Sequence, residues 1–148
     1  RVGSYGVVAL VLSFGLRAAA IAALAAVLTP SGLGMALLAV AAMSRTAMVW
    51  HWSLLPPARR DGVAASVGEP DSGATTVALA GGIAIAALLL LPHGTILSFA
   101  LALAAAVITV LAFNRIALGK IGGHTGDTIG ATQQLAEMSV LFALALAL

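Results

Sequence analysis

The residue types best suited to chemistry in this sequence are concentrated in one stretch, Lys120–Gly130, between two apolar runs. Its paired glycines, Gly122 and Gly123, allow close backbone approach to a ligand, and successive N–H groups in such a turn can form an anion-binding nest. A helix beginning near Asp127 would add its positive N-terminal end. Lys120 is a point charge suited to phosphate, and Asp127 is an oxygen ligand suited to Mg²⁺. The pattern therefore allows a phosphate and magnesium site, with Lys120 and Asp127 as catalytic candidates.

The same stretch also fits an ordinary helix–loop–helix turn. In that interpretation glycine ends one helix, Thr125 or Asp127 caps the next, and Lys120 only marks the side of the membrane. The stretch lacks the glycine-lysine-serine/threonine order of a Walker A loop. When the stretch is considered alone, the simple turn is favoured over a phosphate and magnesium site.

Composition places most of the chain in lipid. The 148 residues are 61% hydrophobic and only 8% charged, with a mean hydropathy of +1.12, whereas a soluble domain carries about a quarter charged residues. The formal charge of +2, without a basic run, gives no indication of a nucleic-acid partner. The absence of cysteine excludes disulfide and thiolate chemistry within this sequence.

Five apolar segments predict the fold class, an all-α polytopic transmembrane bundle of about five spans. Only helices and closed barrels satisfy the backbone in lipid, and these segments lack the alternation of barrel strands. Residues 1–148 are expected to form a single integral membrane domain, the C-terminal part of a longer chain. The segments are Tyr5–Leu28, Leu33–Leu55, Thr75–Leu91, Thr95–Phe113 and Thr128–Leu148.

Loop charges predict the orientation. If every segment crosses once, all the loop arginines and lysines fall on one side, which the positive-inside rule places in the cytoplasm. The Lys120–Gly130 stretch would then face the cytoplasm. The basic residues concerned are Arg1, Arg59, Arg60, Arg115 and Lys120.

Three ionisable residues, Arg17, Arg45 and Glu137, lie inside apolar segments. A charge at the centre of a span costs about 2.5–3.5 kcal/mol on insertion scales, so such residues usually face the bundle interior. At about 1.5 Å per residue, Glu137 lies about 15 Å below Asp127, at a depth that both arginines can reach. An Arg–Glu–Arg cluster is therefore allowed, either as a structural ion pair or as a basic cavity for an anion.

A polar stripe runs down the fifth segment. Asp127, Gly130, Gln134 and Glu137 recur at spacings near three and four, so they share roughly one helix face. This stripe favours a site that reaches from the loop into the bundle. His51, at the end of the second segment, is predicted to be structural.

A second polar loop, Ala58–Gly62, lies on the same predicted face. It contains Arg59, which either anchors the chain at the membrane surface or binds a second phosphate. The first interpretation is favoured when the loop is considered alone.

The residues together resemble one known family. Lys120–Gly130, followed by Ala131–Glu137, closely resembles the C-terminal signature of the cobalamin synthase family, adenosylcobinamide-GDP ribazoletransferase. The order and spacing of weaker elements agree along the whole chain. These elements are Arg1–Gly6, Arg17, Ser44–Arg45 and Ala58–Gly62.

The resemblance implies a Mg²⁺-dependent, multi-pass enzyme of the bacterial inner membrane with its site facing the cytoplasm. It would join adenosylcobinamide-GDP to α-ribazole, or its 5′-phosphate, and release GMP, and a homo-oligomer is compatible with it. Asp127 and Lys120 would be catalytic, with Asp127 also the metal ligand. The implied substrate and phosphate contacts are Arg17, Arg45, Arg59, Gly122, Gly123, Gln134 and Glu137.

The sequence also departs from the family pattern. The family carries an upstream aspartate-rich motif, expected before Arg1, that would hold most of the metal, so we expect residues 1–148 alone not to catalyse the reaction. Arg17 stands where lysine is expected, and Arg60 where proline is expected. The alternatives are a component of a transporter or channel, whose path the buried charges would line, and a non-catalytic membrane subunit.

Overall fold

The computed structural model describes residues 3–58 and 68–148, which form five α-helices joined by short connections. All five are long and apolar enough to cross a membrane. The predicted all-α transmembrane class is therefore confirmed. The helices are α1 (Ser4–Val27), α2 (Pro30–Leu54), α3 (Ser72–Leu90), α4 (Ile96–Ile121) and α5 (Gly126–Ala147).

The fourth helix extends well beyond the apolar segment that predicted it. Its expected end at Phe113 is wrong, because α4 continues two further turns, past Lys120 to Ile121. Hydropathy marks only the part of a helix that lies in lipid, whereas the helix itself ends at its cap. That cap is Gly122, whose φ of 75° is left-handed and whose N–H donates to the carbonyl of Leu118 at 3.1 Å. Glycine adopts this conformation without the Cβ penalty.

Two helices, α2 and α5, form the centre of the bundle. α3 packs on α2, α4 packs on α5 and more lightly on α2, and α1 lies mainly on α5. Small side chains at the contacts allow close helix approach. Alanine is the commonest buried residue in this core, which includes Ala36, Ala39, Val40, Ala102, Ala136 and Val140.

The connections collect at two opposite ends of the bundle. At one end, the chain after α2 is bonded to the α4–α5 connection at His124. At the other end, the ring of His93 lies against Gly32, and Gly94 lies close to Leu148. This arrangement matches the predicted alternation of five single crossings, and it places Lys120 and Asp127 at the same end.

Candidate functional site

The α4–α5 connection has the capped helix–loop–helix geometry predicted as the simpler alternative. Thr125 is the N-cap of α5, and its side chain accepts from the N–H of Thr128 at 3.3 Å. The Thr128 hydroxyl in turn accepts from the N–H of Thr125 at 2.8 Å, which completes a reciprocal capping box. The capping box leaves the N–H groups of Gly126 and Asp127 in the open first turn of the helix. The turn is therefore closed by a capping box and still presents the positive end of α5.

Lys120 and Asp127 flank this turn. Lys120 lies in the last turn of α4 and Asp127 in the first turn of α5, and both residues are exposed. The fold therefore places a cation, a carboxylate and an open helix N-terminus around one connection at the same end of the bundle. Such a set suits the binding of an anionic phosphate together with a metal ion.

A short parallel β-bridge fastens the connection to the chain after α2. The N–H of Ala58 donates to the carbonyl of His124 at 2.8 Å, and the N–H of His124 donates to the carbonyl of Pro56 at 2.8 Å. A Cβ added to Gly123 would lie 2.1 Å from the Pro56 oxygen. Gly123, predicted as a phosphate contact, is thus required first for the close approach of another loop.

Arg59, the other predicted phosphate contact on this face, lies outside the described residues. Its chain neighbour, Ala58, is the residue bonded to His124. The described part of the loop therefore runs directly beside the glycine-rich connection.

The intramembrane ion pair forms between Arg17 and Glu137. Arg17 Nε donates to Glu137 Oε1 at 2.9 Å, with the two side chains 19% and 27% exposed. Its Nη2 donates to Gln134 Oε1 at 2.5 Å, and its Nη1 donates to the hydroxyl of Ser13. The guanidinium of Arg17 is thus engaged by acceptors on α1 and α5. This geometry corresponds to the structural ion pair, one of the two alternatives that the sequence left open.

Arg45 does not join this group, so the Arg–Glu–Arg cluster that the sequence allowed does not form. Its side chain is exposed and donates to the carbonyl of Ala41, one turn earlier in α2, at 3.0 Å. The reason is helix rotation, because α2 buries the neighbouring Ser44 and also Ala47 in the bundle. A residue about 100° away from Ser44 on the helix wheel then points outward.

A second polar group was not predicted as a unit. His51, with no exposed surface, contacts Asn114 Oδ1 through Nδ1 and Thr128 Oγ1 through Nε2, the latter at 3.3 Å. The ring also lies 5.7 Å from that of Phe113. These contacts join α2, α4 and α5 directly below the connection. The only sequence signal was a set of polar residues near the ends of apolar segments.

His124 is 1% exposed, and among the described residues neither ring nitrogen has a hydrogen-bond partner. Burial lowers the pKa of this imidazole, while the negative charge of Glu69 acts in the opposite direction. Desolvation is the larger effect and favours the neutral ring. Within residues 3–58 and 68–148, a buried imidazole whose two nitrogens lack a partner is an unusual feature of this loop pair.

The described residues offer Mg²⁺ an incomplete protein site. No group of three or more histidine, aspartate or glutamate side chains that could hold a metal occurs in residues 3–58 and 68–148. Asp127 is a single exposed carboxylate beside an open helix N-terminus. Because Mg²⁺ is commonly held by one or two carboxylates together with substrate phosphates, Asp127 fits as one ligand of such a shared site.

Comparison with known proteins assigns the family. A family model described as cobalamin-5-phosphate synthase matches residues 1–145. Proteins named adenosylcobinamide-GDP ribazoletransferase are 60% identical to the whole chain in both Sinorhizobium medicae (strain WSM419) and Rhizobium meliloti (strain 1021). One from Azorhizobium caulinodans is 40% identical over 95% of the chain and 53% of its own length. No solved structure matches the chain.

The chain spans 57% of the length of the Sinorhizobium and Rhizobium meliloti relatives. The family match covers almost every residue described above, including both polar groups and the glycine-rich connection. The chain therefore belongs to the cobalamin-5-phosphate synthase family.

Proposed function

We propose that the whole protein of which this chain is a part transfers the adenosylcobinamide phosphate moiety of adenosylcobinamide-GDP to α-ribazole or its 5′-phosphate. The names of the relatives support this reaction. The structural observation that carries it is the exposed pair Lys120 and Asp127 on either side of a capped helix N-terminus.

In the proposed reaction a ribazole hydroxyl oxygen attacks the phosphorus that carries the cobinamide group. A new P–O bond forms, the P–O bond of the diphosphate bridge breaks, GMP leaves, and the hydroxyl proton is released. Transfers of this kind depend mainly on positioning and on neutralisation of phosphate charge. Those are the contributions that this end of the bundle can make.

Each residue has a proposed part. Lys120 and the N–H groups at the start of α5 would bind phosphate oxygens, and Asp127 would be one ligand of Mg²⁺, which when bound would neutralise charge on the diphosphate. Arg59 would contact phosphate from the adjoining loop, and Gly122 keeps the backbone open beside it. Arg45, exposed on α2, remains a predicted substrate contact.

The proposal gives a structural role first to three of the predicted substrate contacts, Arg17, Gln134 and Glu137. Their side chains bind one another, so their first role is to hold the inner wall of the site. Direct contact of these residues with substrate stays a prediction. We further propose that the protein lies in the bacterial inner membrane with this end of the bundle in the cytoplasm, where nucleotide substrates occur, as the positive-inside rule supports.

The test is replacement of Asp127 in the full-length protein in liposomes. Asp127→Asn keeps the size of the side chain and removes the charge, so GMP release from adenosylcobinamide-GDP with α-ribazole should fall on the order of 100-fold. Asp71→Asn is the matched control. Asp71 is the N-cap of α3, asparagine caps equally well, and turnover should be unchanged. Near-normal turnover of Asp127→Asn would remove this residue from the metal site.

A further inference from the structure

The first turn of α5, which carries Asp127, contains no fully buried residue and makes polar contacts. The buried residues of α5 begin only at Thr132, six positions after the helix starts at Gly126. Thr128 is the residue in the first turn with a contact to another span, His51 on α2. Beside the β-bridge at His124, which holds the chain just before the cap, the Thr128 hydroxyl is therefore the group that ties this turn to α2.

The hydrogen bonds around that hydroxyl form a directional chain. The N–H of Thr125 donates to Thr128 Oγ1. The single proton of the Thr128 hydroxyl has two acceptors within reach, the carbonyl of Thr125 at 3.0 Å and His51 Nε2 at 3.3 Å. When the hydroxyl donates to His51 Nε2, the ring carries its proton on Nδ1, and this N–H donates to Asn114 Oδ1. In this arrangement both ring nitrogens of His51 face a group of matching polarity. The chain runs from the cap of α5 through α2 to α4.

The chain is rigid because its central members are buried. His51 has no exposed surface and Asn114 is 7% exposed. Buried polar networks with every member satisfied fix geometry, since an unpaired buried group is costly. Such a network transmits the position of α2 to the cap of α5.

We propose that His51 is a positioning residue that fixes the first turn of α5, and with it the direction of the Asp127 carboxylate, through Thr128. The inference rests on the proposed function for its effect on turnover. Its structural part, the ordering of the α5 cap by His51, does not depend on any substrate.

Two substitutions of His51 test the contacts of its two ring nitrogens separately. Glutamine places its amide near the position of Nε2 and keeps the contact to Thr128, whereas asparagine reaches only as far as Nδ1 and keeps the contact to Asn114. His51→Gln should therefore retain a kcat near that of the wild type. His51→Asn should lower kcat at least about tenfold with little change in KM, because a displaced catalytic group loses rate more than binding.

A substrate-free measurement accompanies the kinetics. Amide hydrogen exchange of peptides spanning residues 125–130 is compared in the full-length wild type and both variants. The amides of Thr125, Thr128 and Ile129 are bonded within the cap. Their exchange should rise about fivefold to tenfold in His51→Asn, as loss of one buried hydrogen bond predicts, and stay unchanged in His51→Gln. His93→Gln, at the opposite end of the bundle, is the control.

Equal exchange of the cap in both His51 variants and the wild type would overturn the positioning role. A larger rise in cap amide exchange in His51→Gln than in His51→Asn would also overturn it, because the essential contact of His51 would then be the one to Asn114. Faster exchange of the cap amides in His51→Asn but not in His51→Gln supports the positioning role even if the wild type transfers no adenosylcobinamide phosphate. Absence of transfer by the wild type would count against the proposed function alone.

Discussion

At the scale of single residues, the lack of a side chain at Gly123 allows two loops to come close enough to form backbone hydrogen bonds. Its absent Cβ is what lets the Pro56 carbonyl accept from the N–H of His124. The sequence had suggested that Gly123 allows the close approach of a phosphate. The structure shows that it allows the close approach of the Pro56 carbonyl. The bridge keeps the chain after α2 next to the connection that carries Asp127, which supports a single site built from both loops.

Gly123→Ala should break this bridge. The new methyl group would meet a backbone oxygen, which cannot rotate away, so both bridging hydrogen bonds should be lost at a cost of about 2 kcal/mol. Exchange of the Ala58 and His124 amides in the full-length protein checks the loss, and turnover should fall with it. Gly119→Ala is the control, because Gly119 lies in α4 with open space around its Cβ position. Unchanged exchange at Ala58 in Gly123→Ala would contradict the bridge.

At the scale of elements, α1 is attached to the bundle with little apolar burial. Only Ala20 and Leu24 of this helix are buried, whereas Arg17 reaches across to Gln134 and Glu137 on α5. Helices in lipid gain no hydrophobic driving force from association, so packing and polar contacts decide it. The ion pair is therefore a main attachment of α1 to α5.

Arg17→Met should destabilise the docking of α1 by about 3 kcal/mol, because it leaves the carboxylate of Glu137 without its partner. The double variant Arg17→Met with Glu137→Met should be less destabilised than Arg17→Met alone, since no isolated charge remains. Unfolding free energies of the full-length protein in detergent, arranged as a double-mutant cycle, measure the coupling. A coupling near zero would show that the pair contributes nothing to docking and would favour the alternative of a basic cavity.

At the scale of the whole molecule, the two ends of the bundle differ in chemistry. One end carries the Lys120–Asp127 turn and the chain around Pro56, and the other carries the short uncharged connection containing His93. The proposed substrate adenosylcobinamide-GDP carries an anionic diphosphate, so the polar end is the one expected to meet it. Under the proposed function the site is therefore one-sided, and no path through the bundle is required.

Single cysteines test this arrangement, since residues 1–148 contain none. In a cysteine-free background of the full-length protein, Asp71→Cys should react with a membrane-impermeant maleimide only when the reagent reaches the cytoplasmic side. His93→Cys should react only from the opposite side. Labelling of intact cells and of inverted vesicles gives the two measurements. Labelling of both positions from one side would show that the five-crossing topology is wrong.

The sequence by itself determined which parts of the chain are helices in the membrane, how their connections alternate, and where the polar turn lies. It could do so because lipid leaves an apolar segment of this length little choice but a helix. The family resemblance rested on the same local residues. Helix ends beyond the lipid were less predictable, as the two extra turns of α4 show.

Only the tertiary structure decided which polar side chains meet. Arg17 pairs with Glu137 while Arg45 turns outward, and His51 bonds to Asn114 and Thr128. These outcomes depend on the rotation of each helix about its axis. A segment that is apolar on every side does not encode that rotation, so it is set by the packing of small side chains between neighbouring helices.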